Sequence, residues 1–283
     1  MEGVMMADPL LSMLALAVLV AAADAFSTAP PPTSPLCSRG RRTALSSSLV
    51  NDGIFQTSPP LRIEGNSLKT WTLPAGVARR VQVSLRSPGR PIEASVELWQ
   101  TPSYTPTKFT VECEDASENV VHAIVELPDG LPTTLAVYNT EGQEFPVDAT
   151  VQAVHDGGAA PLAVASFSGQ RPVYVEGNGA VKSFNFGPDI EEVEVLLTTS
   201  LRNMKAYIEI LRGPNDDNEI VNVETDNASV HPFYTKIVCA DGLNTLRIVN
   251  ENTLEFPLEA YVRPFDDVGD GERPQFNYGG PYF

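Results

Sequence analysis

Only three histidines, His122, His155 and His231, are available for proton transfer in 283 residues, and they are scattered along the chain. General acid–base or nucleophilic catalysis needs such groups to converge with a nucleophile or a carboxylate. No His-x-x-x-His pair or His/Cys set has the spacing of zinc ligands, and no metal or other cofactor is implied. There is no phosphate-cradling glycine loop and no Gly-x-Ser-x-Gly turn, so nucleotide and serine-hydrolase chemistry lose support. The run Asn215-Asp216-Asp217-Asn218-Glu219 offers hard oxygen ligands but lacks the spacing of a calcium loop, and a solvated hairpin turn is the expected reading. Paired carboxylates could still come from separated strands. Trp99, Tyr104, Phe233 and Tyr234 are read as exposed aromatics on which a sugar ring could stack, which defines a carbohydrate-binding alternative without catalysis.

The elements that would position these residues read as strands. Short alternating runs of Val, Ile, Thr and aromatics are separated by Gly, Pro, Asn and Asp, with 24 prolines and 20 glycines in all. No segment has the period of an amphipathic helix. With 42% hydrophobic residues the chain is rich enough to build a real core.

Self-similarity organises these strands. Ile63-Glu64-Gly65-Asn66 returns as Val175-Glu176-Gly177-Asn178, and Lys69-Thr70-Trp71 as Lys182-Ser183-Phe184. Val81 to Leu85 matches Val193 to Leu197, and Ala94 to Leu98 matches Ala206 to Ile210. Leu135 to Asn139 matches Leu246 to Asn250, and Glu144-Phe145-Pro146-Val147 matches Glu255-Phe256-Pro257-Leu258. His122 aligns with Tyr234, not with a second histidine. The expected fold is all-β: two tandem, pseudo-symmetric antiparallel β-sandwich-like repeats with an extended C-terminal tail. The repeats are placed at 51–154 and 170–265, joined by a linker at 155–169. Trp71/Phe184, Leu98/Ile210 and Phe145/Phe256 are expected to fill equivalent interior positions.

The ends have other compositions. Leu10 to Ala22 is a short apolar run followed by Ala23-Asp24-Ala25, the pattern of a signal peptide over residues 1–25, although the positive charge that usually precedes such a run is missing. Residues 26–50 are rich in Ser, Thr, Pro and Arg and hold no Asp or Glu, as in a plastid transit peptide. A phenylalanine, Phe26, just after the cleavage site resembles the Ala-Phe motif of leaders that enter red-lineage secondary plastids. Residues 266–283 run from an acidic linker into an aromatic end, where Phe276, Tyr278, Tyr282 and Phe283 are candidate anchors for docking on a neighbouring copy.

The net charge of −17 repels nucleic acid and anionic headgroups, so neither nucleic-acid binding nor membrane insertion is expected. Cys113 and Cys239 do not fall at matching places in the repeats and are read as buried free thiols. Two comparable surfaces on one chain suit assembly, because a heterologous contact propagates instead of closing as a dimer. Edge strands are natural sites for such contacts, although proteins commonly block them.

The Glu-Gly-Asn openings and Glu-Phe-Pro closings, recurring in the same order in both halves behind a plastid leader, resemble the PyShell proteins of diatoms and related algae. The resemblance spans roughly residues 60 to 265. It implies a non-enzymatic subunit that assembles with copies of itself, and with paralogous shell proteins, into a sheet enclosing the Rubisco matrix of the pyrenoid. It also implies a location in the stroma of a complex plastid, at the pyrenoid periphery. There the shell would limit loss of carbon dioxide within the carbon-concentrating mechanism.

Overall fold

The computed structural model describes residues 53–265, apart from positions 77, 101–102, 115, 117–118, 155–166, 168, 201–202, 213–218 and 240–241. The expected signal peptide, transit peptide, aromatic tail and most of the linker therefore lie outside the described residues.

A four-residue helix, α1 (Ile54–Thr57), precedes sixteen strands. The first repeat supplies β1 (Leu61–Ile63), β2 (Ser67–Leu73), β3 (Arg80–Arg86), β4 (Ile92–Gln100), β5 (Tyr104–Cys113), β6 (Val121–Glu126), β7 (Thr133–Asn139) and β8 (Val147–Ala153). The second supplies β9 (Val173–Val175), β10 (Ala180–Phe186), β11 (Glu192–Thr198), β12 (Met204–Arg212), β13 (Glu219–Thr225), β14 (Phe233–Val238), β15 (Asn244–Asn250) and β16 (Leu258–Pro264). Period-two patterning explains the strands. In β12, Met204, Ala206, Ile208 and Ile210 are buried while Lys205, Tyr207 and Glu209 between them are exposed or half-exposed.

The chain is nearly all β, as the sequence leads one to expect, and its strands form two antiparallel sheets of eight. Sheet 1 runs β1-β8-β3-β6-β14-β11-β16-β9, and sheet 2 runs β10-β15-β12-β13-β5-β4-β7-β2. Each sheet takes four strands from each repeat. The halves are thus joined by main-chain hydrogen bonds in both layers, at β6–β14 and at β5–β13. A pseudo-twofold axis passes through both joints: Ala123 pairs with Thr235 in sheet 1 and Thr110 with Asn222 in sheet 2, each 112 residues apart (235 − 123 and 222 − 110). Asn222 Nδ2 donates to Thr110 Oγ1 at 3.2 Å, so this central pair is also bonded through its side chains.

The interior is shared as well. Val83 and Val195, Leu98 and Ile210, and Leu135 and Leu246 belong to one buried cluster. At its middle Phe109 of β5 meets Phe233 of β14, ring centroids 5.3 Å apart, linking sheet 2 of the first repeat to sheet 1 of the second.

Candidate assembly surfaces and the buried polar motif

The repeated motifs acquire a physical reason at the corners of the sandwich. A Cβ on Gly65 would lie 1.9 Å from the Gly142 carbonyl oxygen, and one on Gly177 would lie 1.9 Å from that of Thr253, so neither position accepts a side chain. Asn66 and Asn178 follow with φ of 54° and 67°, the left-handed region that Asn tolerates better than most residues. Opposite them, Asn139 ends β7 and Asn250 ends β15, both fully buried. Asn139 Nδ2 donates to the carbonyls of Ile63 and Phe145, at 3.1 and 2.8 Å. Asn250 Nδ2 donates to those of Val175 and Phe256, at 2.9 and 2.8 Å. Each asparagine therefore ties the Glu-Gly-Asn opening of its repeat to the Glu-Phe-Pro closing.

The interior residues named from the sequence fall into three groups. Leu98 and Ile210 are buried in the shared core. Trp71 and Phe184 are half-buried on β2 and β10 and pack against it from the ends of sheet 2. Phe145 and Phe256 depart from the expected interior positions: both are half-buried in the turns before β8 and β16, equivalent to each other but outside the core. Arg90 stands over the Phe145 ring, 5.6 Å from its centroid. The proline that follows each phenylalanine lies at the same corner, where the tying asparagines, not the rings, carry the closure.

On its central strands the outer side of sheet 1 is buried and holds polar side chains. Ser84 Oγ lies 2.7 Å from His122 Nδ1, and Gln82 Nε2 lies 3.2 Å from the same nitrogen. A serine–histidine pair can activate a hydroxyl for attack, but Ser84 is fully buried, and the Gln82 amide shares the same ring nitrogen with it. The twin positions hold Leu196 and Tyr234, paired in the same register. Tyr234 donates to Glu194 Oε1 at 2.6 Å, and Arg263 Nε to Glu194 Oε2 at 2.5 Å. Phe167 packs over Tyr234 and Tyr261, with centroid separations of 6.3 and 5.7 Å. This corrects the expected sugar platform in part: Phe233 and Tyr234 are buried, one in the core and one beneath Phe167.

Among the described residues no group of three His, Cys, Asp or Glu side chains could hold a metal ion. Glu219, the last residue of the acidic run, is ion-paired with Arg212 at 2.6 Å, while 213–218 lie outside the described residues. Cys113 and Cys239 are both buried thiols.

Sheet 2 turns its outer side to solvent. One row crosses all eight strands through Leu68, Tyr138, Ser95, Thr110, Asn222, Tyr207, Val249 and Val181, and the pseudo-twofold exchanges its ends. The two halves of the row differ. In the first repeat Leu68, Ser95, Glu97, Trp99, Ala136 and Tyr138 line a shallow depression of about 180 Å³. Leu68, Trp99 and Tyr138 around it are 43%, 36% and 39% exposed, values high for large apolar side chains. Trp99 Nε1 donates to Glu97 Oε2 at 2.8 Å, and Lys108 Nζ lies 3.1 Å from Glu97 Oε1. Burial works to raise the Glu97 carboxyl, and these bonds outweigh it, holding it below the usual carboxylate range.

The sheet ends also differ between layers. Sheet 1 ends on three-residue strands, β1 and β9, whereas sheet 2 ends on the seven-residue strands β2 and β10. Lys69 and Lys182 sit on the core-side rows of β2 and β10, opposite Val137 and Ile248, and both are exposed. A charge so placed on an edge strand resists pairing with another chain. The tail residues Phe276, Tyr278, Tyr282 and Phe283 lie outside the described residues. Of its lining residues the sequence marks Trp99 alone, because the depression is built from three strands far apart in the chain.

The sequence model of the family described as "Diatom pyrenoid shell protein" matches residues 55–264, which span α1 to the end of β16. No curated protein matches the chain. Among solved structures, the PBSX exported protein XepA is 11% identical, covering 68% of this chain and 84% of that one, with a TM-score of 0.24. Vicilin from Solanum lycopersicum (tomato) is 9% identical, covering 70% of this chain and 76% of that one, with a TM-score of 0.15.

Proposed function

Because the chain belongs to the diatom pyrenoid shell protein family, we propose that it is a structural subunit which assembles with copies of itself, and with related shell proteins, into a sheet around the Rubisco-containing pyrenoid. Its contribution to carbon fixation is then mechanical and diffusional: the sheet bounds the Rubisco matrix and limits escape of carbon dioxide. No substrate is turned over. Residues 1–50 act as a two-part leader that delivers the chain to the chloroplast stroma, and the aromatic tail docks on a neighbouring copy.

The observation that carries this reading is the extent of the family match, which covers the whole two-sheet sandwich and not one repeat of it. The architecture supports it. In each layer the four strands of one half pair edge to edge with the four of the other, so the subunit has one core and behaves mechanically as a single plate. One broad face of that plate, the outer side of sheet 2, carries exposed Leu68, Trp99 and Tyr138, the kind of surface that marks an interaction site.

The test is electron microscopy of the purified chain from Asn51 onward over a range of protein concentration and salt. Ordered sheets or tubes are expected; isolated particles at every concentration would remove self-assembly. The carbohydrate-binding alternative retains Trp99 and Tyr104 as exposed aromatics and gains Tyr138, and it predicts saturable binding to a storage glucan that Trp99→Ala abolishes. Absence of binding across a glycan panel would discard it.

A further inference from the structure

We infer that the depression on the outer side of sheet 2 is the receptor for the C-terminal aromatic tail of a second copy of this chain. The inference rests on the assembly reading and specifies one of its contacts.

Among the described residues the depression is open in the first repeat and filled in the second, and register explains why. Ser95, Glu97, Trp99, Ala136 and Tyr138 have as twins Tyr207, Glu209, Leu211, Arg247 and Val249. In the second repeat the small Ser95 and Ala136 are thus replaced by Tyr207 and Arg247. Arg247 lies across the site and its Nη1 bonds Glu209 Oε2 at 2.5 Å. Glu97 has Ala136 opposite, and the space an arginine would take is empty of side chain. Val249 is buried where its twin Tyr138 is exposed. A duplicated chain has therefore kept one copy of the site open and filled the other with its own side chains. One receptor per chain calls for one ligand per chain. The aromatic tail, which also occurs once, meets that count, and pairing the two between copies is a heterologous contact that propagates.

Charge and position favour this occupant. A chain of net charge −17 repels its own copies, so a contact between them needs a segment that brings no further negative side chain. From Arg273 to Phe283 the tail has no Asp or Glu and carries four aromatics. The walls of the depression are Leu68, Trp99 and Tyr138, which suit aromatic rings, and Glu97 offers a carboxylate to a tyrosine hydroxyl or amide donor. The described residues end at Phe265, whose amide bonds the Glu192 carbonyl at 2.8 Å and whose ring lies under Lys236. That is the outer side of sheet 1 in the second half, whereas the depression is on the outer side of sheet 2 in the first half. Eighteen residues reach at most about 60 Å when extended, and a route to the chain's own depression spends much of that rounding the sandwich. A neighbouring copy needs no such detour. The long edges of sheet 2 are the competing contact, and Lys69 and Lys182 guard them.

The test uses the full mature chain with Phe276, Tyr278, Tyr282 and Phe283 replaced by Ser, so that its own tail does not compete. A synthetic peptide of residues 266–283 is titrated against it. Saturable binding is expected, weakened about tenfold or more by Ala136→Arg, which installs the twin's own arginine opposite Glu97. Ser95→Tyr and Trp99→Leu, also the twin's residues, should act likewise, and they keep the proposal testable if Ala136→Arg lowers the melting temperature. Val249→Ala in the other half should leave binding unchanged. No binding, or binding indifferent to all three fillings, overturns the proposal. A chain with Ala136→Arg and an intact tail should form 1:1 complexes with the tail-substituted chain in sedimentation, each remaining monomeric alone; failure to pair overturns docking between copies. The assembly reading is judged separately. Peptide binding by a chain that never forms sheets sinks the shell and keeps the contact, and sheets formed unchanged by the filled chains do the reverse.

Discussion

Asn139 and Asn250, at the ends of equivalent strands in the two repeats, make the same three hydrogen bonds. Each side-chain amide donates to the carbonyl that closes the first strand of its repeat and to the carbonyl of the corner phenylalanine. Each Oδ1 accepts the backbone amide two residues on, from Glu141 and Asn252, at 3.1 Å in both. Three buried backbone groups per corner thus depend on one side chain.

Asn139→Ala leaves those groups without their partner and should cost about 2–4 kcal/mol, since each buried unsatisfied group costs about 1–3 kcal/mol and water reaches some of them. Asn139→Asp keeps the acceptor but loses both donated bonds, so it should cost nearly as much. Urea denaturation of both variants, beside the matching Asn250 pair, measures this; an unchanged midpoint for Asn139→Asp would show that the donated bonds are not limiting.

Gly65→Ala and Gly177→Ala place a methyl against main-chain carbonyls that cannot swing aside. Each should destabilise by more than about 2 kcal/mol, beyond the about 0.5–1 kcal/mol span of ordinary glycine–alanine effects. Gly89, which has a positive φ of 65° but open space around it, should show only backbone strain on the same substitution. Thermal melts of the three variants give the ranking.

Phe109→Ala and Phe233→Ala should each cost about 3–5 kcal/mol. Because the two rings touch across repeats, either change should lower hydrogen-exchange protection in both halves, with unfolding still a single transition. Protection lost in only the mutated half would mean that the repeats fold independently despite their shared sheets.

Cys239 should stay unmodified by iodoacetamide at pH 8 in the folded chain. Its thiol is pushed up to about 11, chiefly by burial, with Arg212 working against the rise and Glu192 and Glu219 adding to it. The reactive thiolate is then about one part in a thousand. Mass spectrometry of the alkylated chain should show labelling that tracks urea unfolding; rapid labelling of native protein would contradict the buried position.

His231 is held below its usual range by burial, which outweighs the nearby Asp226 carboxylate and a hydrogen bond that the ring donates to the Glu126 backbone carbonyl. The folded chain therefore favours the neutral ring. The stability this preserves is complete above the unfolded value of 6.5 and is lost as pH falls from there toward the lower folded value. His231→Gln should flatten melting temperature against pH below 6.5, measured by calorimetry at matched ionic strength; a parallel curve for the variant would assign the acid limb to carboxylates alone.

Much of the fold was legible because its constraints are local. A strand shows itself by alternation, as in Met204 to Ile210, and a corner that excludes a Cβ and needs a positive φ demands Gly and then Asn wherever it recurs. Phe145 and Phe256 misled because a repeated aromatic reads as core, whereas these two mark the corner that Asn139 and Asn250 close. Phe233 and Tyr234 read as exposed aromatics, yet β14 is a central strand with one face on the core and the other under Phe167.

What the sequence by itself determined is the all-β class, the duplication and the equivalence of positions, since side-chain period and backbone permissions are properties of each segment. What only the tertiary structure decided is how the duplicates meet. Pairing β6 with β14 and β5 with β13 merged them into one two-layered plate, and that pairing depends on main-chain groups every residue carries, which leave no signature in residue type. The same holds for the open depression of the first repeat. Ser95 and Ala136 are unremarkable small residues until three strands set them side by side, opposite a twin site that Tyr207 and Arg247 have filled.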